Sequence, residues 1–101
     1  MNIDNMSLEE LETLYYDKLK EFEKLFNSDI FIWLEMNKNI EKDFNDVLIK
    51  YKIYYYKKKI FILELEILNN LLNRIEKVLL NKYNYDEKRL TKKRFDKESI
   101  L

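Results

Sequence analysis

The chain has 101 residues, nineteen Lys plus Arg balanced by nineteen Asp plus Glu, and no Gly, Pro, Cys or His. Without Cys there are no disulfides, zinc fingers or thiolate nucleophiles, and without His the commonest general base and transition-metal ligand are missing. Without Gly, the P-loop, the dinucleotide-binding turn and the EF-hand loop are excluded, because each needs backbone that other residues adopt only at a cost.

The same zeros bear on the fold. A sheet protein of this size needs several tight turns, normally supplied by Gly, Pro or Asn-Gly. A chain lacking both punctuators favours a few long helices joined by short polar links. The expected class is all-α: one domain over residues 1–101, with long antiparallel helices forming a helical hairpin or a three-helix bundle with coiled-coil-like packing. The longest apolar run, Ile30 to Leu34, is far short of the ~20 residues of a membrane-spanning helix. The N-terminus has neither a basic nor an apolar segment of signal-peptide type. The expectation is a cytoplasmic protein with no membrane span.

The first helix, about residues 8–26, opens on Ser7-Leu8-Glu9-Glu10, a capping box. Leu8, Leu11, Tyr15, Leu19, Phe22 and Phe26 then recur at steps of three and four, the stripe of an amphipathic helix. Asn27-Ser28-Asp29 is the best break in the chain, since all three residues favour caps and turns.

A second helix is expected over about 29–57. Ile30, Trp33, Asn37, Ile40, Phe44, Val47, Tyr51 and Tyr54 alternate in steps of three and four, the seam of a coiled coil or long hairpin. Asn37 is either a register-fixing polar residue in that seam or a solvent-facing one. Residues 47–67 admit two readings. Lys50 to Ile53 and Leu63 to Ile67 alternate like strands, so a β-hairpin turning at Lys57-Lys58-Lys59 is one reading. Three Lys make a poor tight turn and the apolar set fits the helical frame, so helix is the favoured one.

A third helix is expected over about 60–83. Leu65, Leu68, Leu71, Leu72, Ile75, Val78 and Leu79 form a broad apolar face that belongs at the centre of the core. Asn81 to Asp86 ends it, and residues 87–101 read as a charged tail or a short helix.

Charge is divided along the chain. Residues 1–49 carry five basic and twelve acidic side chains, a net of −7, and residues 50–101 carry fourteen and seven, a net of +7. The two halves are therefore expected to pack on each other, within one chain or between copies. The other reading is that the basic half meets an acidic partner.

Carboxylates are the only plentiful catalytic material: Glu35, Asp43 and Asp46, and the first-turn group Glu9, Glu10 and Glu12. Nothing in their spacing builds the two unlike environments that acid–base catalysis needs. No catalytic residue, metal ligand, cofactor or small-molecule substrate is expected. Basic residues interleaved with aromatics are the stronger signal. Lys57, Lys58 and Lys59 beside Tyr51 and Tyr54 to Tyr56, and the cluster Lys88, Arg89, Lys92, Lys93 and Arg94, are candidate contacts to nucleic acid or an acidic partner. However, Lys, Asn, Ile, Tyr and Phe make up about half of the chain. An AT-rich gene, such as that of a phage or mobile element, supplies such clusters without selection for binding.

Eight Tyr, six Phe and one Trp are more aromatic surface than a few helices enclose. Aromatic anchors of this kind mark interfaces. The functional expectation is a non-enzymatic protein–protein interaction or structural protein, a helical homodimer or higher oligomer that bridges or blocks a macromolecular partner. The candidate interface is the face Ile30, Trp33, Asn37, Ile40, Phe44, Val47, Tyr51 and Tyr54, together with the broad face of 64–83. The alternative is a nucleic-acid-binding protein using the two basic clusters.

Overall fold

In a computed structural model the protein is an all-helical, bent hairpin. Residues 2–38 and 47–91 are described, and of residues 47–51 only the helical backbone. A single 3-10 turn, Ile3–Asn5, leads into α1 (Leu8–Leu25), α2 (Asp29–Asn37) and α3 (Val47–Tyr83), and a second 3-10 turn spans Glu87–Arg89. No strand occurs among the described residues. Helices α1 and α2 together form one arm and α3 the other. Contacts pair Met6 with Tyr83, Tyr15 with Glu76, Phe31 with Phe61 and Trp33 with Tyr54. Residue numbers rise on one arm as they fall on the other, so the arms are antiparallel. The molecule is 57 Å long, about the length of 37 helical residues at 1.5 Å each.

The first helix starts as the sequence implies. Ser7 Oγ accepts from Glu10 N–H at 3.2 Å, while Ser7 N–H donates to Glu10 Oε1 at 3.3 Å. The reciprocal pair satisfies two amides that have no partner inside the helix. The break at 26–28 is made largely by Ser28. Its hydroxyl donates to the Leu25 carbonyl at 2.6 Å, closing α1, and accepts from Phe31 N–H at 3.4 Å, opening α2. Ser28 itself is extended (φ −73°, ψ 158°), which bends the arm. Phe22, Phe26, Phe31 and Phe61 gather at the bend, with ring centroids 5.4–5.9 Å apart. These edge and stacked contacts add to simple area burial and clamp both halves of the bent arm to the middle of α3.

The core is the strip between the arms. Leu11, Tyr15, Phe22 and Leu34 on one arm meet Phe61, Leu65, Leu72, Ile75 and Leu79 on the other, with Ile3 inserted from the N-terminal turn. One polar group is buried with them: Glu76 is 5 % exposed. Its Oε1 accepts from the Tyr15 hydroxyl at 3.1 Å, and that hydroxyl also accepts from Thr91 N–H at 2.9 Å. Tyr15 thus ties α1, α3 and the segment after α3 at one atom.

The end of α3 illustrates what a Gly-free chain does at a helix terminus. Asn84 takes a left-handed φ of 50°, and Tyr85 N–H donates back to the Leu79 carbonyl at 3.0 Å. Asn is the residue that tolerates this conformation best after Gly.

Two of the expected helix boundaries are corrected. The joint between a helix over 29–57 and another over 60–83 is absent, because α3 runs without interruption through Lys57-Lys58-Lys59. Lys is a good helix former and nothing in the segment competes with the backbone. The β-hairpin reading of 47–67 falls for the same reason. The 30–54 series is likewise not the seam of one helix: Ile30 to Asn37 lie on α2 and Val47 to Tyr54 on α3, on opposite arms. Residues 39–46, and with them Ile40 and Phe44, lie outside the described residues.

Leu72→Ala is expected to destabilise the fold by about 2–5 kcal/mol, the range for a truncated buried Leu. Tyr15→Phe should cost about 1–3 kcal/mol by removing the hydroxyl from Glu76 and Thr91. Urea denaturation followed by circular dichroism measures both.

Candidate interaction surface

The seam residues near the hairpin tip are used inside the chain. The Trp33 and Tyr54 rings lie 6.1 Å apart across the two arms, and Ile30 is half-buried against the core. Asn37 does not reach the other arm in any described contact: its Nδ2 donates to the carbonyl of Trp33, one turn back in its own helix, at 2.7 Å. Val47 and Tyr51 lie within α3, but their side chains are outside the described residues. The broad face of 64–83 is the core itself. Of the described candidates, Ile30, Trp33 and Tyr54 of the seam and the buried residues of the 64–83 face therefore pack within the chain.

The first basic cluster is also engaged internally. Lys57 Nζ stands 4.8 Å from the Trp33 ring centroid, Lys58 Nζ 5.6 Å from Tyr54 and Lys59 Nζ 5.6 Å from Tyr55. The three ammonium groups thus interact with ring faces. In the second cluster, Arg89 pairs with Glu12 at 3.6 Å and stacks 4.9 Å from the Tyr85 ring, while Lys88 N–H is capped by Asp86 at 3.0 Å. Lys92, Lys93 and Arg94 lie outside the described residues. The two clusters are separated by roughly 35 Å of α3, so the described members do not merge into one basic patch.

Three of the acidic candidates have structural roles. Glu10 closes the capping box, Glu35 pairs with Lys38 at 3.4 Å, and Glu12 holds Arg89 and Tyr85. Asp43 and Asp46 lie outside the described residues. Among the described residues no group of three acidic side chains is placed to hold a metal ion.

Among the described residues, α3 carries a row of exposed apolar side chains that the sequence pattern did not single out. Ile53, Tyr56, Ile60, Leu63 and Ile67 are 43, 65, 51, 55 and 60 % exposed. Their spacing is three, four, three, four, which places all five on one face of α3. At 100° per residue this face lies nearly opposite the core residues Phe61, Leu65 and Leu72. A shallow groove runs beside it, bordered by Tyr56, Lys59, Ile60, Leu63 and Glu66. Smaller exposed apolar groups occur on the other arm, at Tyr16, Ile32 and Met36. The signal was available in the sequence as a second heptad register on the same helix. It was hidden because every residue from 60 to 68 except Glu64 and Glu66 is apolar, and only the position of the partner arm tells the inner set from the outer.

Comparisons of the chain with models of protein families, with curated proteins and with solved structures find no match. No helix among the described residues is long and apolar enough to cross a membrane.

Tyr85 gives a measurable electrostatic signature of this packing. Burial first, then its hydrogen bonds to Tyr16 and Glu12, push its phenol above the ordinary value of 10.0. A raised folded-state value means that the contribution to stability is complete below the unfolded value and is lost as pH rises above it. Tyr85→Phe is expected to reduce the loss of stability that sets in as pH rises through about 10, read from urea midpoints on either side of that pH.

Proposed function

We propose that the protein is a non-enzymatic interaction protein that docks a macromolecular partner through the outer face of α3. The observation that carries this reading is the row of five large, solvent-exposed apolar side chains from Ile53 to Ile67. Scattered exposed apolar residues are ordinary on a protein surface, but a contiguous row rimmed by charges is the usual mark of a docking site. Tyr56 supplies an aromatic anchor of the kind that dominates binding energy. Lys57, Lys59, Glu64 and Glu66 on its two sides supply orientation. A chain without His or Cys, in which Glu10, Glu12 and Glu35 are engaged in a cap and ion pairs, fits a role in binding better than one in catalysis. The nucleic-acid reading draws less support, since the two basic clusters stand roughly 35 Å apart along α3 and Lys57 and Lys59 share their flanks of the row with Glu64 and Glu66.

Ile60→Asp with Leu63→Asp tests this. Both sites are exposed, so the helical circular dichroism and the melting temperature should stay near those of the parent chain. Partner binding, followed by quantitative capture from the native host, should fall by at least about tenfold, the loss of one buried anchor of ~1.4 kcal/mol or more. A control pair, Ile32→Asp with Met36→Asp on α2, should retain it. Equal capture by all three proteins would overturn the reading.

A further inference from the structure

The charges that flank the exposed row point to what covers it. With Ile53 as position a, the row reads a, d, a, d, a: Ile53, Tyr56, Ile60, Leu63 and Ile67. The e positions are then Lys57 and Glu64, and the g positions are Lys52, Lys59 and Glu66. In a two-stranded coiled coil these flanking positions set orientation and partner choice.

We infer that the outer face of α3 pairs with the same face of a second copy of this chain, antiparallel, about a two-fold axis passing between Phe61 and Ile62. This rests on the docking role of that face proposed above. In an antiparallel pair, a packs against d of the partner, e faces e and g faces g. Centred between Phe61 and Ile62, the apolar layers are Tyr56 on the second copy's Ile67 and Ile60 on its Leu63, each occurring twice, with Ile53 on Asn70 at either end. The flanks then set Lys59 against Glu66 and Lys57 against Glu64, also twice each. All four flanking contacts are between opposite charges and none between like charges.

The alternatives are worse by the same count. Two parallel helices in register place Lys52 of each copy against Lys57 of the other, which offsets their two contacts between Lys59 and Glu64. Sliding the antiparallel pair by one heptad sets Lys57 against Lys57 and Lys59 against Lys59 at the axis. Beyond Ile67 the row ends, because the next two positions of the repeat are Asn70 and Arg74. Pairing about this axis is isologous, so the assembly closes as a dimer rather than growing into a filament.

The chain has no Cys, so introduced thiols report geometry unambiguously. Tyr56→Cys mixed with Ile67→Cys should form a disulfide-linked dimer on mild oxidation, while neither variant alone should, since like positions lie about 16 Å apart along the axis. Light scattering should give twice the 12.6 kDa chain mass. Charge reversal adds an independent arm. Glu64→Lys with Glu66→Lys, and separately Lys57→Glu with Lys59→Glu, should each weaken dimerisation about tenfold or more, and a one-to-one mixture of the two should restore it. A monomer at high micromolar concentration overturns the inference. So does a disulfide formed by Tyr56→Cys alone, which reports a parallel pair, or one between Tyr56→Cys and Ile60→Cys, which reports the slid register. A monomer in which a photo-crosslinking residue at position 63 is captured by a different protein removes the second copy but leaves the docking role standing. A monomer with no capture at that position removes both.

Discussion

The structure depends on the continuity of α3. Its 37 residues contain no Gly or Pro and no run of Ser, Asp or Asn before the double Asn at 69–70, so nothing inside it competes with the helix. A helix of that length exposes apolar side chains around much of its circumference, and one antiparallel arm can cover only one side of it. The inner side, from Phe61 to Leu79, becomes the core. The outer side, from Ile53 to Ile67, stays in solvent. The core and the candidate docking face are therefore two consequences of one constraint.

The covering arm is bent where the chain has its best stop signal. Ser28 ends one helix and begins the next with a single hydroxyl, and four phenylalanine rings fill the elbow. The bend lets α1 and α2 each lie along a different part of α3. Polar contacts then pin the far end: Lys82 donates to the Asp4 carbonyl at 2.6 Å, and Tyr83 to that of Met6. Burying Glu76 beside Tyr15 is costly unless its carboxylate is hydrogen-bonded, and this contact fixes the relative position of the arms more sharply than apolar packing alone.

The charge division along the sequence has a structural counterpart, although not chiefly as discrete ion pairs. The acidic arm lies on the basic arm within one chain, and Arg89 to Glu12 crosses between them. Other pairs, such as Lys18 to Glu21 and Lys38 to Glu35, stay within one arm. Exposed pairs of this type contribute little individually, so apolar burial holds the arms together and charge helps to select their pairing. The ammonium groups of Lys57, Lys58 and Lys59, candidates for contact with an acidic partner, lie over the rings of Trp33, Tyr54 and Tyr55.

Local signals were readable from the sequence because their causes are local. The capping box at Ser7, the stop at Asn27 to Asp29, the inner face of Leu65 to Leu79 and the end of the helix near Asn81 to Asp86 each follow from residues within a turn or two of one another. The path through Lys57 to Lys59 was not readable, since a polar triplet suits either a bend or a straight solvent-facing turn. The series from Ile30 to Tyr54 kept a perfect heptad rhythm yet divides between two arms, because rhythm records which residues are apolar and not which strand of the hairpin carries them. Leu63 and Leu65 make the same point on one helix: both are apolar, two residues apart, and only the second is buried. The sequence by itself determined that the chain is helical, where its first helix starts and which chemistry its composition excludes. Only the tertiary structure decided which of the two apolar faces of α3 is inside, because burial depends on where the opposite arm lies, and that is set by contacts between residues as far apart as Tyr15 and Glu76.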